Sequence, residues 1–315
     1  MNVNHLSSLR YNALTPAARR PSAELMAQTL RAKGVLVADA DVSAIAGDVK
    51  RMNALHQLDF AGNKTTFEHL EAVASAQKLA DGSSPAPLAA DLFTLVGSAR
   101  FSTFGKCYAR TSHTIYSVHH AAEMARIVGD LAVTGAVTLA DGTVAKWNPK
   151  TFPLTVRRLH PGMGPGVEGP VDRLWGGLNH LLTQKELPAN AEIFGTTQSA
   201  FRGQMANVTT RLMGQQFVNV DGASALPHLN DIVDSFGPMA AEFGTHGGSV
   251  AEISNGTVRS QEEGALALRD MDDGRLGYVV VPAEEAAKRG LAPIEYPADD
   301  DKGYATVGAP AVKKP

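Results

Sequence analysis

Residues 101–128 read FSTFGKCYARTSHTIYSVHHAAEMARIV: a short glycine-containing stretch, then Cys107, then a run in which Ile115, Val118, Ala122 and Ala125 fall on one face at helical spacing. The pattern predicts a loop-to-helix junction with the thiol at the helix's first turn. Unpaired backbone N–H groups and the positive end of the helix dipole favour thiolate over thiol at such a place. Cys107 is also the one cysteine of the chain. That excludes an internal disulfide framework and any multi-thiolate metal centre, and it fits a reducing compartment.

Upstream of this junction the pattern is helical. Ser22 to Ala32 forms a first candidate. From Asp41 to Gly62, Val42, Ile45, Val49, Met52 and Leu55 recur at three- and four-residue spacing, which predicts one helix closed by the glycine. In KTTFEHLEAVASAQKL (64–79), Thr65 and Glu68 have capping-box spacing, and Phe67, Leu70 and Val73 continue along one side to about Ala80. The turn-rich DGSSPAPLA (81–89) follows, so a helical N-terminal region over 1–85 precedes a second domain over 86–290.

Downstream the periodicity becomes mixed. AVTGAVTLADGTVAKW (132–147) alternates around Ala140-Asp141-Gly142, a hairpin with Val137 and Leu139 facing Val144 and Trp147. PGMGPGVEGP (161–170) is a loop; its glycines 162, 164 and 166 lack the strand-to-helix context of a dinucleotide-binding turn. In DRLWGGLNHLL (172–182), Leu174, Leu178, Leu181 and Trp175 form a buried stripe. A helix over 224–236 stops at Gly237, and strands are expected over 239–243, 249–253, 265–269 and from 276. The segment 291–315 lacks apolar periodicity and reads as a flexible C-terminal tail.

A cysteine nucleophile needs a base, normally a histidine held by a third group. His246, flanked by glycines between two strands, is the first candidate, with Asp270 at the end of a following strand as the orienting acid. If those two strands pair, both groups come to one end of a sheet. His119 and His120 lie nearer the cysteine and read as surface or packing residues. With no carboxylate or second histidine four residues away, they do not make a zinc site. No metal and no cofactor is expected.

These features resemble the calpain-like branch of the papain-like cysteine peptidases. FGKCYA (104–109) looks like that family's "G-D-C-W" nucleophile turn, THGGSV (245–250) its "G-H-A-Y-S-V" histidine, and LRDMDDG (268–274) stands where it carries "L-R-N-P-W-G". The hairpin to Trp147 with DRLWGGLNHLL is similar to its stretch ending in "W-x-x-L-L-x-K-A". The 139 residues between Cys107 and His246 lie within the roughly 130–150 of papain-type enzymes. The resemblance covers residues 95 to 285. It implies an α+β, papain-like two-lobed fold, with a helical lobe around Cys107 and an antiparallel sheet lobe carrying His246 and Asp270. It also implies a thiol hydrolase of peptide or protein amides with a Cys107–His246–Asp270 triad. A deamidase or acyl transferase would use the same three residues, and a non-catalytic protein on a degenerate papain-like fold is the contrasting reading. Three positions depart from the family, one of them Asp270, which stands where the family's triad asparagine belongs. Phe101 stands where the oxyanion-hole glutamine belongs, and loss of one such donor typically costs about 10²–10³ in rate. Lys106 replaces the aspartate before the nucleophile.

Composition narrows the partners. The 315 residues carry 44% hydrophobic and 19% charged side chains, and 29 basic against 32 acidic groups give a formal charge of −3. There is no net pull toward nucleic acid or anionic lipid, and no run of about 20 apolar residues to span a membrane. The opening MNVNHLSSLRYNAL lacks the basic-then-apolar pattern of a Sec signal. A cytoplasmic protein or one exported by a non-classical route is expected, acting on a protein or peptide; the oligomeric state is not legible.

Overall fold

A computed structural model describes residues 20–97, 107–154, 157–158, 167–184, 186–187, 191–193, 204–243, 246–250, 252–254, 257–260, 264–267 and 276–295. The fold class is mixed α+β. The helix α1 (Ala23–Ala32) is capped by the Ser22 hydroxyl, which accepts from the Leu25 N–H. The single helix expected over 41–62 is instead two, α2 (Asp39–Ala46) and α3 (Val49–His56). Asp48 adopts extended geometry and its carboxylate accepts from the N–H groups of Lys50 and Arg51, starting a new helix. Ile45 and Leu55 are buried on either side of the break, but Val49, the member of the predicted apolar face that lies at it, is 75% exposed. In α4 (Thr66–Ser75) the capping box forms in both directions between Thr65 and Glu68. This helix stops at Ser75, because Ala76 turns extended. The next helix, α5 (Ala86–Leu95), begins directly after the Ser/Pro stretch. One apolar core joins residues on both sides of position 85, among them Leu30, Leu70, Leu92, Leu131 and Leu174.

Helices α6 (Cys107–His119) and α7 (Ala121–Thr134) follow, separated at His120. The expected hairpin forms from β1 (Ala136–Thr138) and β2 (Val144–Lys146). Its facing differs from the prediction: a three-residue turn sets Val137 opposite Ala145, so Ala145 and Trp147 are buried and Val144 is exposed. Short β3 (Arg157–Arg158) and β4 (Val167–Glu168) pair across the Gly/Pro stretch, most of which lies outside the described residues. Then come α8 (Pro170–Leu182), β5 (Ala191–Glu192), parallel to β2, and α9 (Met205–Met213). Gly214 ends α9 with φ +69°, and a Cβ there would come 2.7 Å from the Ala140 carbonyl oxygen in the β1–β2 turn. Gly214→Ala should therefore cost about 2–4 kcal/mol, from the left-handed backbone plus a clash with backbone atoms. Urea unfolding of the two proteins checks it.

The second half is built on an antiparallel sheet ordered β6 (Phe217–Asp221), β12 (Leu276–Pro282), β7 (Met239–Phe243), β8 (His246–Val250). Alternation divides its two faces. Val280, Ala240, Phe217 and Tyr278 join the main core, to which α6 and α9 contribute. Val220, Val279, Val281 and Ala241 instead pack with α10 (Gly222–Ala225), α11 (Leu229–Phe236) and α12 (Ala283–Lys288). Gly237, at φ +80°, stops α11 as its sequence predicts. Residues 291–295, counted in the tail from sequence, are held on this sheet: Leu291 is buried, Pro293 bridges to Val220 and the Ile294 N–H donates to Asn219. A separate three-stranded sheet is formed by β9 (Glu252–Ser254), β10 (Thr257–Ser260) and β11 (Gly264–Ala267). Among the described residues no helix is long and apolar enough to cross a membrane.

Candidate functional site

Cys107 is the first residue of α6; the loop expected before it, residues 98–106, lies outside the described residues. His246 is the first residue of β8, an edge strand whose register on β7 runs from Phe243↔His246 to Met239↔Val250. Asp270 lies outside the described residues. Among the described residues the His246 strand does not pair with the strand before Asp270, the condition for bringing the two together: β8 pairs with β7, while β11 pairs with β10 and β10 with β9. The segment read as one strand over 249–253 is divided, β8 ending at Val250 and β9 starting at Glu252. Strands only two or three residues apart in sequence pair with each other here.

Helix α6 is held from two sides. It packs on β8 and β7, and on its other side it meets α8 through buried polar contacts. The Ser112 hydroxyl donates to Asn179 Oδ1 at 2.5 Å and accepts from Trp175 Nε1–H at 2.9 Å, and the Asn179 amide donates to the Trp175 carbonyl at 2.8 Å. One turn nearer the start of α8, His113 Nε2 is 3.6 Å from Asp172 Oδ1, too long for a hydrogen bond. Burial pushes the His113 imidazole down to about 4, so it is neutral at pH 7 and no ion pair forms despite the approach. On the sheet side, Ser112, Ile115 and Tyr116 enclose with Met239, Ala240 and Val280 a space of about 30 Å³. That holds about one water molecule and no ligand.

The two histidines after the cysteine are packing groups. His120 is buried between the rings of Phe60 and Tyr116, at centroid distances of 5.5 and 5.1 Å, so its surface alternative is not met. Burial, with the nearby Lys50 charge, pushes His119 down to about 4. Among the described residues no cluster of three or more His, Cys, Asp or Glu could hold a metal.

Two groups with chemical potential escaped sequence reasoning. Glu242 is a buried carboxylate on β7, opposite Gly247 and next to the Phe243↔His246 pair. An extra residue in β12 makes room for it, since the register slips between Leu276 and Val279 and a Cβ on Gly277 would lie 2.4 Å from Glu242 Oε2. The signal was a lone acid in the otherwise apolar MAAEF (239–243). The other is His69, whose Nε2 is 2.9 Å from Asp59 Oδ2 across the loop that precedes α4. No protein-family model, characterised protein or solved structure shows significant similarity to this chain.

Proposed function

We propose that the protein is a thiol-dependent hydrolase of peptide or protein amides on a papain-like two-lobed arrangement, with Cys107 as nucleophile and His246 as base. The observation that carries this reading is the packing of α6, which Cys107 opens, on β8, which His246 opens. Ile115 and Tyr116 share a wall with Met239 and Ala240, at the start of β7. Met239 pairs with Val250, so His246 is at the other end of the strand pair. Traced back from Tyr116, nine helical steps to Cys107 cover about 13 Å, and four strand steps from Val250 to His246 cover about the same. If α6 runs along β8 in the same direction, both starting residues come toward one end of the sheet. Cys107 would attack the acyl carbon, His246 would take the thiol proton and return it to the leaving amine, and the Cys107 N–H would help hold the oxyanion. Asp270 would orient the imidazole. Deamidation or acyl transfer would pass through the same acyl-enzyme and differ only in the acceptor.

A second reading, a non-catalytic protein in which α6 on β8 is packing alone, is favoured by one observation. Pleat alternation groups positions 247 and 249 with Glu242 and Ala240, the latter on the α6 wall, and position 246 with Phe243 on the other face. Catalysis then requires the pair to meet across the free edge at the start of β8. The test is labelling of the full-length chain at pH 7 with a peptidyl acyloxymethyl ketone. Modification of Cys107 is expected, slowed about 10²-fold or more in His246→Ala, within the range of acid–base catalysis. Asp270→Asn should keep appreciable reactivity and Asp270→Ala should lose most of it. Labelling no faster than a free thiol, or indifferent to His246→Ala, leaves the packing reading.

A further inference from the structure

We propose that the cleft between α4 and α7 binds a small zwitterion with an apolar body, of the chemical class of an apolar α-amino acid. The proposal is independent of the thiol reading and concerns other elements of the fold. The cleft measures about 300 Å³, the lower end of the range for small-molecule sites. Its floor is apolar, formed by Val73, Ala125, Gly129 and Val133. The helices approach closely there, since a Cβ on Gly129 would come 2.9 Å from Val73 Cγ2.

Polar groups at the rim divide by sign. Buried Asp59 is fully engaged: one carboxylate oxygen accepts from the Asn63 N–H at 2.9 Å and the other faces His69 Nε2 at 2.9 Å. Asp130 takes one contact from Arg126 and keeps a side chain 47% exposed, so it retains acceptor capacity at the rim. Asp130 suits an ammonium group. Arg126 is committed to Glu123, Asp130 and the Thr138 carbonyl, so it is not a receptor for an anion. Lys64, exposed on the loop at the cleft, forms no ion pair among the described residues and suits a carboxylate. An ammonium and a carboxylate flanking a short aliphatic body complement this distribution; a simple anion would meet one lysine and a nearby carboxylate.

The test is calorimetric titration of the full-length protein with L-leucine, isoamylamine, which lacks the carboxylate, and 4-methylpentanoate, which lacks the amine. Leucine should bind with a Kd of about 1 mM, and each fragment at least about 10-fold more weakly. Lys64→Gln should weaken leucine to the level of isoamylamine without changing isoamylamine itself. Ala72 is exposed at the rim, so Ala72→Trp should block the cleft and abolish binding while the thermal unfolding midpoint stays put. The proposal is overturned if 4-methylpentanoate or isoamylamine binds as tightly as leucine, if Ala72→Trp leaves binding intact, or if no leucine binding is measurable up to about 20 mM, a concentration that would saturate a millimolar site.

Discussion

Trp175→Ala should lower the unfolding free energy by about 3–5 kcal/mol, the range for deleting a buried tryptophan. Trp175 is among the largest fully buried side chains, 1% exposed, and its ring lies 5.1 Å from that of Tyr116. Its loss opens a cavity between α6 and α8 and also removes the N–H that Ser112 accepts at 2.9 Å. Trp175→Phe separates the two effects. It restores most of the ring volume but leaves the buried Ser112 oxygen without that donor, and should cost about 1–3 kcal/mol. Asn179→Leu tests the same contacts from the other end, because Asn179 accepts the Ser112 proton and donates to the Trp175 carbonyl. Denaturant unfolding of Trp175→Phe, Asn179→Leu and the double variant gives the coupling. The network account expects the pair to cost clearly less than the sum of the singles, and strict additivity would contradict it. Because α6 begins at Cys107 and is clamped to α8 by these bonds, the same variants should slow Cys107 labelling if the thiol site works as proposed.

What could be read in advance was local. The Thr65–Glu68 capping box needs only residues three apart, and both of its bonds form. The Asp48 cap was equally local, yet the apolar spacing of Ile45, Val49, Met52 and Leu55 in the sequence masked the break, and Val49 turns out to be exposed. Trp175 was recognisable as core from its leucine neighbours. The partner of its N–H was not, since Ser112 lies 63 residues away and only the docking of α6 on α8 joins them. The same holds for strand neighbours: composition located strands near 239–243 and 276, but not the division of 246–254 or the separate β9–β10–β11 sheet that keeps β11 from pairing with β8. At the candidate site the junction at Cys107 and the strand opening at His246 were legible because both lie at element boundaries with glycine nearby. Glu242 became interesting only when the register set it beside the Phe243↔His246 pair. The Asp59–His69 contact depends on how a loop folds back onto the helix that follows it.

Asp91→Asn should flatten the pH dependence of stability between about pH 4 and pH 6. Asp91 reaches from α5 to the start of α8, where its Oδ2 accepts from the Val171 N–H at 3.0 Å, an N-terminal cap supplied by another helix. Gly169 leaves it room, since a Cβ at that position would come 2.4 Å from Asp91 Oδ2. Burial raises the Asp91 carboxyl from 3.8 to about 6, and the single N–H contact offsets only part of that. The folded state therefore holds a proton that the unfolded chain releases near pH 4. Stability is highest at the acid end of this window and falls as pH rises from about 4 to about 6, by roughly 3 kcal/mol for a shift of about two units. Above pH 6 the cost stays constant. Asparagine cannot ionise, and its amide oxygen can accept from Val171 in the same place. The two proteins should differ most in wild type's favour near pH 4, and the difference should move toward the variant by about 2–3 kcal/mol at pH 7. Urea unfolding of both at pH 4.0, 5.0, 6.0 and 7.0 reads this directly. Parallel stability profiles would mean that Asp91 titrates as an ordinary carboxylate, with its cap of α8 charged throughout the range.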